Sequence, residues 1–270
     1  MRVPGRRTTL CRVPRSSSAV HRKSSARAPA GFYEAEAAGL RWLAAAEESG
    51  GAAVVTVHTV AVDHIDVELL VETRPTDDAA ESLGRALART HAAGADAFGA
   101  PPPGGGAEAW IGRQPQRNDP TATWGLFYAE QRVRPFVRRA VDAGHLDEPG
   151  RLLLDTVCDR IASGVFDDDR APARLHGDLW SGNVVFTATG AVLIDPAAHG
   201  GHGLTDVAML ALFGCPGRER LESAYAAEAG LPRGWRSLLG LHQLHPLATH
   251  AASHGPAYAA ELVDVARRYR

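Results

Sequence analysis

Leu175-His176-Gly177-Asp178-Leu179-Trp180-Ser181-Gly182-Asn183, followed closely by Leu193-Ile194-Asp195-Pro196, is the stretch from which the rest of the chain can be read. Strand-like Arg174-Leu175 leads into it. Val184-Val185-Phe186, a turn at Thr189-Gly190 and a second apolar run over 191–194 predict a hairpin that brackets two acids and an amide. Asp178, Asn183 and Asp195 are the side chains a phosphoryl transfer uses. One carboxylate orients or deprotonates a hydroxyl, while an amide oxygen and a second carboxylate are hard ligands suited to Mg2+. A bare Asp-x4-Asn pattern is common by chance, and the apolar strands on both sides give it its weight.

The protein-kinase catalytic loop uses the same five-residue step from base to amide, with a metal-binding Asp downstream. A histidine two residues before the base is more often a brace on the backbone than a catalyst, so His176 reads as a brace. Asp206 reads as a second brace on the loop or as a helix cap, in preference to a metal ligand. A kinase also needs a cation on the nucleotide phosphates, and Lys23 is the only lysine in 270 residues. It ends a strand-like run, 19–23, and precedes a helix carrying Glu34 and Glu36. A compact ammonium there does what the wide fork of an arginine does not.

Composition narrows the alternatives. The chain is 45% hydrophobic and 22% charged, with a formal net charge of -2. Eight of its 29 basic residues fall in the first 31 positions, which hold no acid, so the remainder carries 21 basic against 31 acidic residues. Such an acidic body argues against a nucleic-acid-binding surface. The cysteines, Cys11, Cys158 and Cys215, lie far apart without metal-ligand spacing, which suits a reducing, cytoplasmic setting. No apolar run is long enough to span a membrane, and the start lacks the apolar core of a secretory signal. The Arg- and Ser-rich start has the look of an organelle transit peptide, a reading outweighed by the use found for Lys23.

Around the central stretch, patterning predicts strands over 9–13 and 19–23 and a helix over 32–48 ended by Gly50-Gly51. Strands follow over 53–61 and 67–72, with a turn marked by His64 and Asp66. The polar, Pro75-containing segment 73–77 is the expected hinge, and Asp77 or Asp78 the expected cap of a helix reaching Gly94. The Pro/Gly tract 100–106 is a surface loop, 110–119 is read as irregular, and helices are expected over 124–143 and 149–164 and through most of 205–270.

The whole resembles the fructosamine (ketosamine) kinases, relatives of aminoglycoside and choline kinases within the protein-kinase-like fold. The resemblance rests on the central stretch with Leu193-Ile194-Asp195-Pro196-Ala197. Three further runs extend it: residues 31–43 (GFYEAEAAGLRWL), residues 110–118 (WIGRQPQRN) and Asp206-Val207-Ala208-Met209-Leu210. It implies an α+β, bilobal fold, with a small β-rich N-lobe over residues 1–75 that binds nucleotide and a larger, mostly helical C-lobe over 76–270. It also implies Asp178 as base, Asn183 and Asp195 as Mg2+ ligands, Lys23 on the phosphates with Glu36 as its partner, and ATP at Val71, Glu72 and Thr73. The implied acceptor is a small-molecule ketosamine or a glycated protein, phosphorylated on the sugar 3-hydroxyl as a step towards deglycation and protein repair. Trp180 and the segment 116–124 would lie near it. The departure is at the start: residues 5–13 overlay the family's phosphate loop only loosely and nothing precedes them to form a first strand, which would weaken ATP binding. That departure keeps two alternatives in view: a kinase-like remnant or binding protein without catalysis, and a kinase of aminoglycosides or other amino-sugars.

Overall fold

A computed structural model describes residues 19–270, and its architecture is mixed α and β. The expected strand over 9–13 and the phosphate loop laid over 5–13 fall outside the described residues. Strand β1 (Val20–Ser24) pairs antiparallel with β4 (His64–Glu68), which pairs with β3 (Val57–Val60) in a small sheet ordered β1-β4-β3. Helix α1 (Phe32–Ala44) follows β1 and buries Tyr33, Leu40 and Leu43 in the same apolar core as Ile65 and Val67 of β4. Gly39 lets α1 come close to the segment after Asp195, since a Cβ there would meet Ala198 Cβ at 3.1 Å.

The run 53–61 is not one strand. It breaks at Val55-Thr56, and its first part, β2 (Ala53–Val54), leaves the small sheet to pair in parallel with β9 (Gly190–Leu193), the second strand of the predicted hairpin. The other strand of that hairpin, β8 (Val184–Thr187), accepts a hydrogen bond at Phe186 O from Thr73 N at 2.7 Å. The hairpin therefore lies between the two acids, Asp178 before it and Asp195 after it, and also stitches the N-terminal segments to the rest of the chain.

Several other expectations are corrected. His64 and Asp66 do not mark a turn: both lie in β4, the turn is at 61–63, and Asp66 accepts a two-pronged pair from Arg22 at 2.7 and 2.8 Å. Helix α1 stops at Ala44, and Glu47–Ser49 form a separate 3-10 turn before Gly50. The cap of α2 (Asp77–Ala92) is Thr76, whose hydroxyl accepts from Ala79 N at 3.2 Å, so Asp77 and Asp78 are the first-turn acids favoured by the helix dipole. Segment 110–119 is not irregular: β5 (Glu108–Ile111) and β6 (Gln114–Arg117) form a hairpin that puts Trp110 against Phe32, ring centroids 5.8 Å apart.

The helix expected over 124–143 is interrupted. α3 (Trp124–Phe127) runs into a π-helical turn (Tyr128–Val133) and then α4 (Arg134–Asp142). With α5 (Glu148–Ala162), α8 (Leu239–His254) and α9 (Pro256–Ala266), these pack a second apolar core around Phe127, Phe136, Leu154 and Leu244. α2 crosses α7 (Arg218–Glu228) closely enough that a Cβ on Gly84 would meet Leu221 O at 2.2 Å. Between these parts lie β7 (Ala173–Leu175), the central stretch, β10 (His199–Gly201) and α6 (Leu204–Phe213); the antiparallel pair of β7 with β10 was not anticipated.

Candidate active site

The central stretch folds as a loop because its polar groups are held from below. Asp206, 1% exposed at the start of α6, accepts from His176 N at 2.8 Å with one oxygen and from Gly177 N at 2.9 Å with the other. His91 of α2 adds a third hydrogen bond to Asp206 at 3.0 Å, and its other ring nitrogen meets the Tyr225 hydroxyl at 2.8 Å. Burial opposes ionisation of Asp206, but the His91 contact and the Gly177 amide outweigh it and hold the carboxyl below its usual range. Asp206 is thus a brace, as expected, and not a cap. His91 and Tyr225 were missed, because nothing in the spacing of 91, 206 and 225 announces that they meet.

His176 is a brace too. Its Nε2 faces Ile194 O at 2.8 Å and its Nδ1 faces Asp178 N at 3.3 Å, so a neutral ring donating through Nε2 satisfies both. Burial lowers its pKa, in keeping with that neutral ring. Gly177 is required here: its φ is +81°, and a Cβ would meet Ala197 O at 2.2 Å.

Above this base, Lys23, Glu36, Asp178, Asn183 and Asp195 line one cleft of about 280 Å3. Lys23 Nζ lies 2.6 Å from Glu36 Oε1 and 2.7 Å from Asp195 Oδ1. Burial disfavours the ammonium, but two carboxylates overcome that and raise its pKa; burial also pushes the Glu36 carboxyl up, with Lys23 offsetting only part. The two shifts oppose each other in what they say of the pair. The charged pair is the better description, because one ammonium here is shared between two acids. Asp195 takes φ +55°, the only positive value among described non-glycine residues, a local strain of the kind found where a side chain must be aimed.

Burial pushes the Asp178 carboxyl up to about 6, opposed by Asn183 and reinforced by Asp195. Asn183 spends its Nδ2 on Asp178 O at 2.7 Å, Asp195 O at 3.3 Å and Asp178 Oδ2 at 3.4 Å, so among the described residues its Oδ1 makes no hydrogen bond, and Asp195 has one oxygen beyond the one that holds Lys23. An amide oxygen and a carboxylate oxygen in one cleft fit a hard divalent cation that completes its shell with phosphate and water.

The β5–β6 hairpin forms the outer wall with Trp110, and the Pro/Gly tract contributes Pro102, Gly105 and Gly106. Asp178, Trp180 and Gly112 also border a second cavity of about 520 Å3, whose far wall holds Met209, Phe213, Thr249 and His250. Val71, Glu72 and Thr73 do not line the Lys23 cleft. They lie on the extended link before α2, where Val71 is 75% exposed and the Thr73 amide is committed to Phe186.

A carboxyl, Asp178, close to a lysine, an amide and a second acid, beside a hairpin between a small sheet and a helical body, is the arrangement of a kinase-like phosphotransferase. The fructosamine kinase family profile matches residues 5–269, and the chain belongs to that family, whose members are ATP-dependent phosphotransferases. An Enterococcus faecium protein provisionally named a ketoamine kinase is 30% identical over 234 residues, spanning 86% of this chain and 80% of the relative. A solved Thermobifida fusca structure with a provisional fructosamine-3-kinase name is 45% identical and superposes with a TM-score of 0.83 over 92% of this chain and 84% of that one. An AMP-bound spectinomycin phosphotransferase, 13% identical, covers 92% of this chain and 87% of its own with a TM-score of 0.55, a likeness of fold alone.

Proposed function

We propose that this protein phosphorylates the sugar 3-hydroxyl of ketosamines, free or attached to protein lysines, as a step that leads to deglycation. The observation that carries this reading is the place of Asp178: it borders both the cleft of Lys23, Asn183 and Asp195 and the separate cavity floored by Phe213 and His250. A base shared by the cleft that holds Lys23 and the metal-ligand candidates and by a second, ring-lined cavity suits transfer from a phosphate donor to a polyhydroxylated acceptor that reaches Asp178.

Asp178 accepts the proton of the attacking hydroxyl, and its raised affinity for protons suits a base that need not be strong. Lys23, steadied by Glu36, neutralises phosphate oxygens. Asn183 and Asp195 would hold Mg2+, which when bound screens the charge of the phosphates. Main-chain groups of Val71 and Glu72, with the Thr73 carbonyl, are the hinge contacts for adenine. Trp180, 42% exposed at the border of the two cavities, offers a ring face to the sugar. Among the described residues no helix is long and apolar enough to cross a membrane. Cys158 and Cys215 are free thiols, which suits a reducing, cytoplasmic setting for a role in protein repair.

The test is ADP release with Mg-ATP and a panel of ribulosamines, fructosamines and aminoglycosides. Turnover with ketosamines and not with aminoglycosides is expected. Turnover confined to aminoglycosides, or none from folded protein, would overturn the reading.

A further inference from the structure

Behind the outer wall of the cleft lies a positive charge that, among the described residues, no carboxylate touches. This is Arg132, 1% exposed. It sits in the π-helical turn, a rare local widening often found at functional positions. All its contacts are neutral. Nη2 donates to Asn118 Oδ1 at 2.6 Å, Nη1 to the carbonyls of Arg117 at 2.7 Å and Gln131 at 3.2 Å, and Nε to His199 Nε2 at 3.4 Å. The guanidinium carbon lies 4.5 Å from the centre of the Phe127 ring. Burial of a cation that no carboxylate touches is costly, and it draws the pKa of Arg132 down to about 9, opposed in part by the charge of Asp119.

The arrangement fixes the orientation of Asn118. A guanidinium only donates, so the end of the amide facing Arg132 must be the oxygen, and the NH2 must face the other way. On that side it has one protein acceptor, Ala198 O at the long distance of 3.5 Å, so most of its donor capacity is unspent. Asn118 lines the cleft shared by Lys23, Asp178 and Asn183. Both flanks are pinned: Asn118 N donates to Ala107 O at 2.8 Å, and His199 Nδ1 contacts Ala197 O at 2.8 Å, which leaves His199 Nε2 as the acceptor for Arg132. The NH2, with only the long bond to Ala198 O on its side, is therefore oriented before any ligand arrives.

We propose that Asn118 binds the acceptor, its amide NH2 donating a hydrogen bond to a hydroxyl or carbonyl oxygen of the sugar, and that Arg132 is the positioning residue that sets this donor. A fixed neutral donor suits a sugar oxygen, whereas phosphate oxygens in this cleft are served by Lys23. The inference rests on the ketosamine-kinase reading and adds the group that recognises the acceptor.

Two variants separate binding from structure. Asn118→Asp keeps the shape and gives Arg132 a carboxylate, so its Tm should equal or exceed that of wild type, yet it presents an oxygen where the NH2 stood. Asn118→Ala removes the Arg132 contact and should lower Tm. The expected result is a KM for the ketosamine raised about tenfold or more in both variants, consistent with loss of one hydrogen bond worth about 1.4 kcal/mol, with KM for ATP within about twofold of wild type. If the acceptor KM follows Tm, normal in Asn118→Asp and raised only in Asn118→Ala, Asn118 is structural and the assignment is overturned. It is equally overturned if the KM for ATP is the one that rises. Wild type that phosphorylates no acceptor overturns the kinase reading and this assignment together, whereas wild-type turnover with an unchanged Asn118→Asp overturns this assignment alone.

Discussion

At the scale of single residues, the cleft stores unfavourable charge in the service of chemistry. Asp178 holds its proton to about pH 6 where an ordinary aspartate releases it near 3.8. The folded state therefore binds that proton more tightly than the unfolded chain, and stability falls as pH rises from about 4 to about 6. An asparagine in its place would not titrate, so in metal-free buffer the stability gap between Asp178→Asn and wild type should open across that window and reach about 2–3 kcal/mol by pH 7.5. Turnover should fall by about 10²–10⁴. Chemical denaturation at pH 4 and 7.5 checks this; an equal gap at both pH values would contradict it. Lys23 makes a second case. Lys23→Met leaves Glu36 and Asp195 facing each other and should cost about 1–3 kcal/mol, scaled down from a fully buried pair because Lys23 is 24% exposed. Adding Glu36→Gln should restore stability but not activity, and a double variant no more stable than Lys23→Met would refute the charge argument. Lys23, Asp178, Asn183 and Asp195 could be picked out in the sequence because each is the chemically demanding type at a telling offset, whereas Glu36 was separated from Glu34 only by the family resemblance. Asn118, Arg132, His91 and Tyr225 could not, because each matters through a partner far away in the chain.

At the scale of elements, the apolar runs were legible and the breaks between them were not. The hairpin 184–193 announced itself by two apolar runs flanking Thr189-Gly190, whereas β5–β6 did not, because Pro115 and a string of polar residues occupy its second strand. Nothing local separates β2 from β3 either. That division is made by β9, which captures Ala53 and Val54 for a different sheet. The π-helical turn is likewise a tertiary effect, with Arg132 buried on it. Helix contact brings a prediction whose sign runs against propensity. In an exposed helix Gly→Ala gains about 1 kcal/mol. In α2, a Cβ on Gly84 would stand 2.2 Å from Leu221 O of α7, so Gly84→Ala should instead lose about 1–3 kcal/mol. Thermal denaturation decides it, and an unchanged or higher Tm would mean that α2 and α7 are not packed as described.

At the scale of the whole molecule, the hairpin flanked by Asn183 and Asp195 is also the seam: it takes β2 in parallel and receives the Thr73 link. The two cavities thus meet at one structural joint, with Asp178 on the border of both. The family profile spans that joint, matching residues 5–269, so membership applies to the molecule and not to one motif. The class of reaction follows from these observations, and the hydroxyl that is phosphorylated can be read directly. The most direct measurement is phosphorus–proton correlation NMR of a reaction containing Mg-ATP, a ketosamine and the enzyme. The account predicts a phosphate ester coupled to the proton on sugar carbon 3, formed by wild type and absent with Asp178→Asn. An ester at another position, or no ketosamine ester from folded wild-type protein, would contradict it.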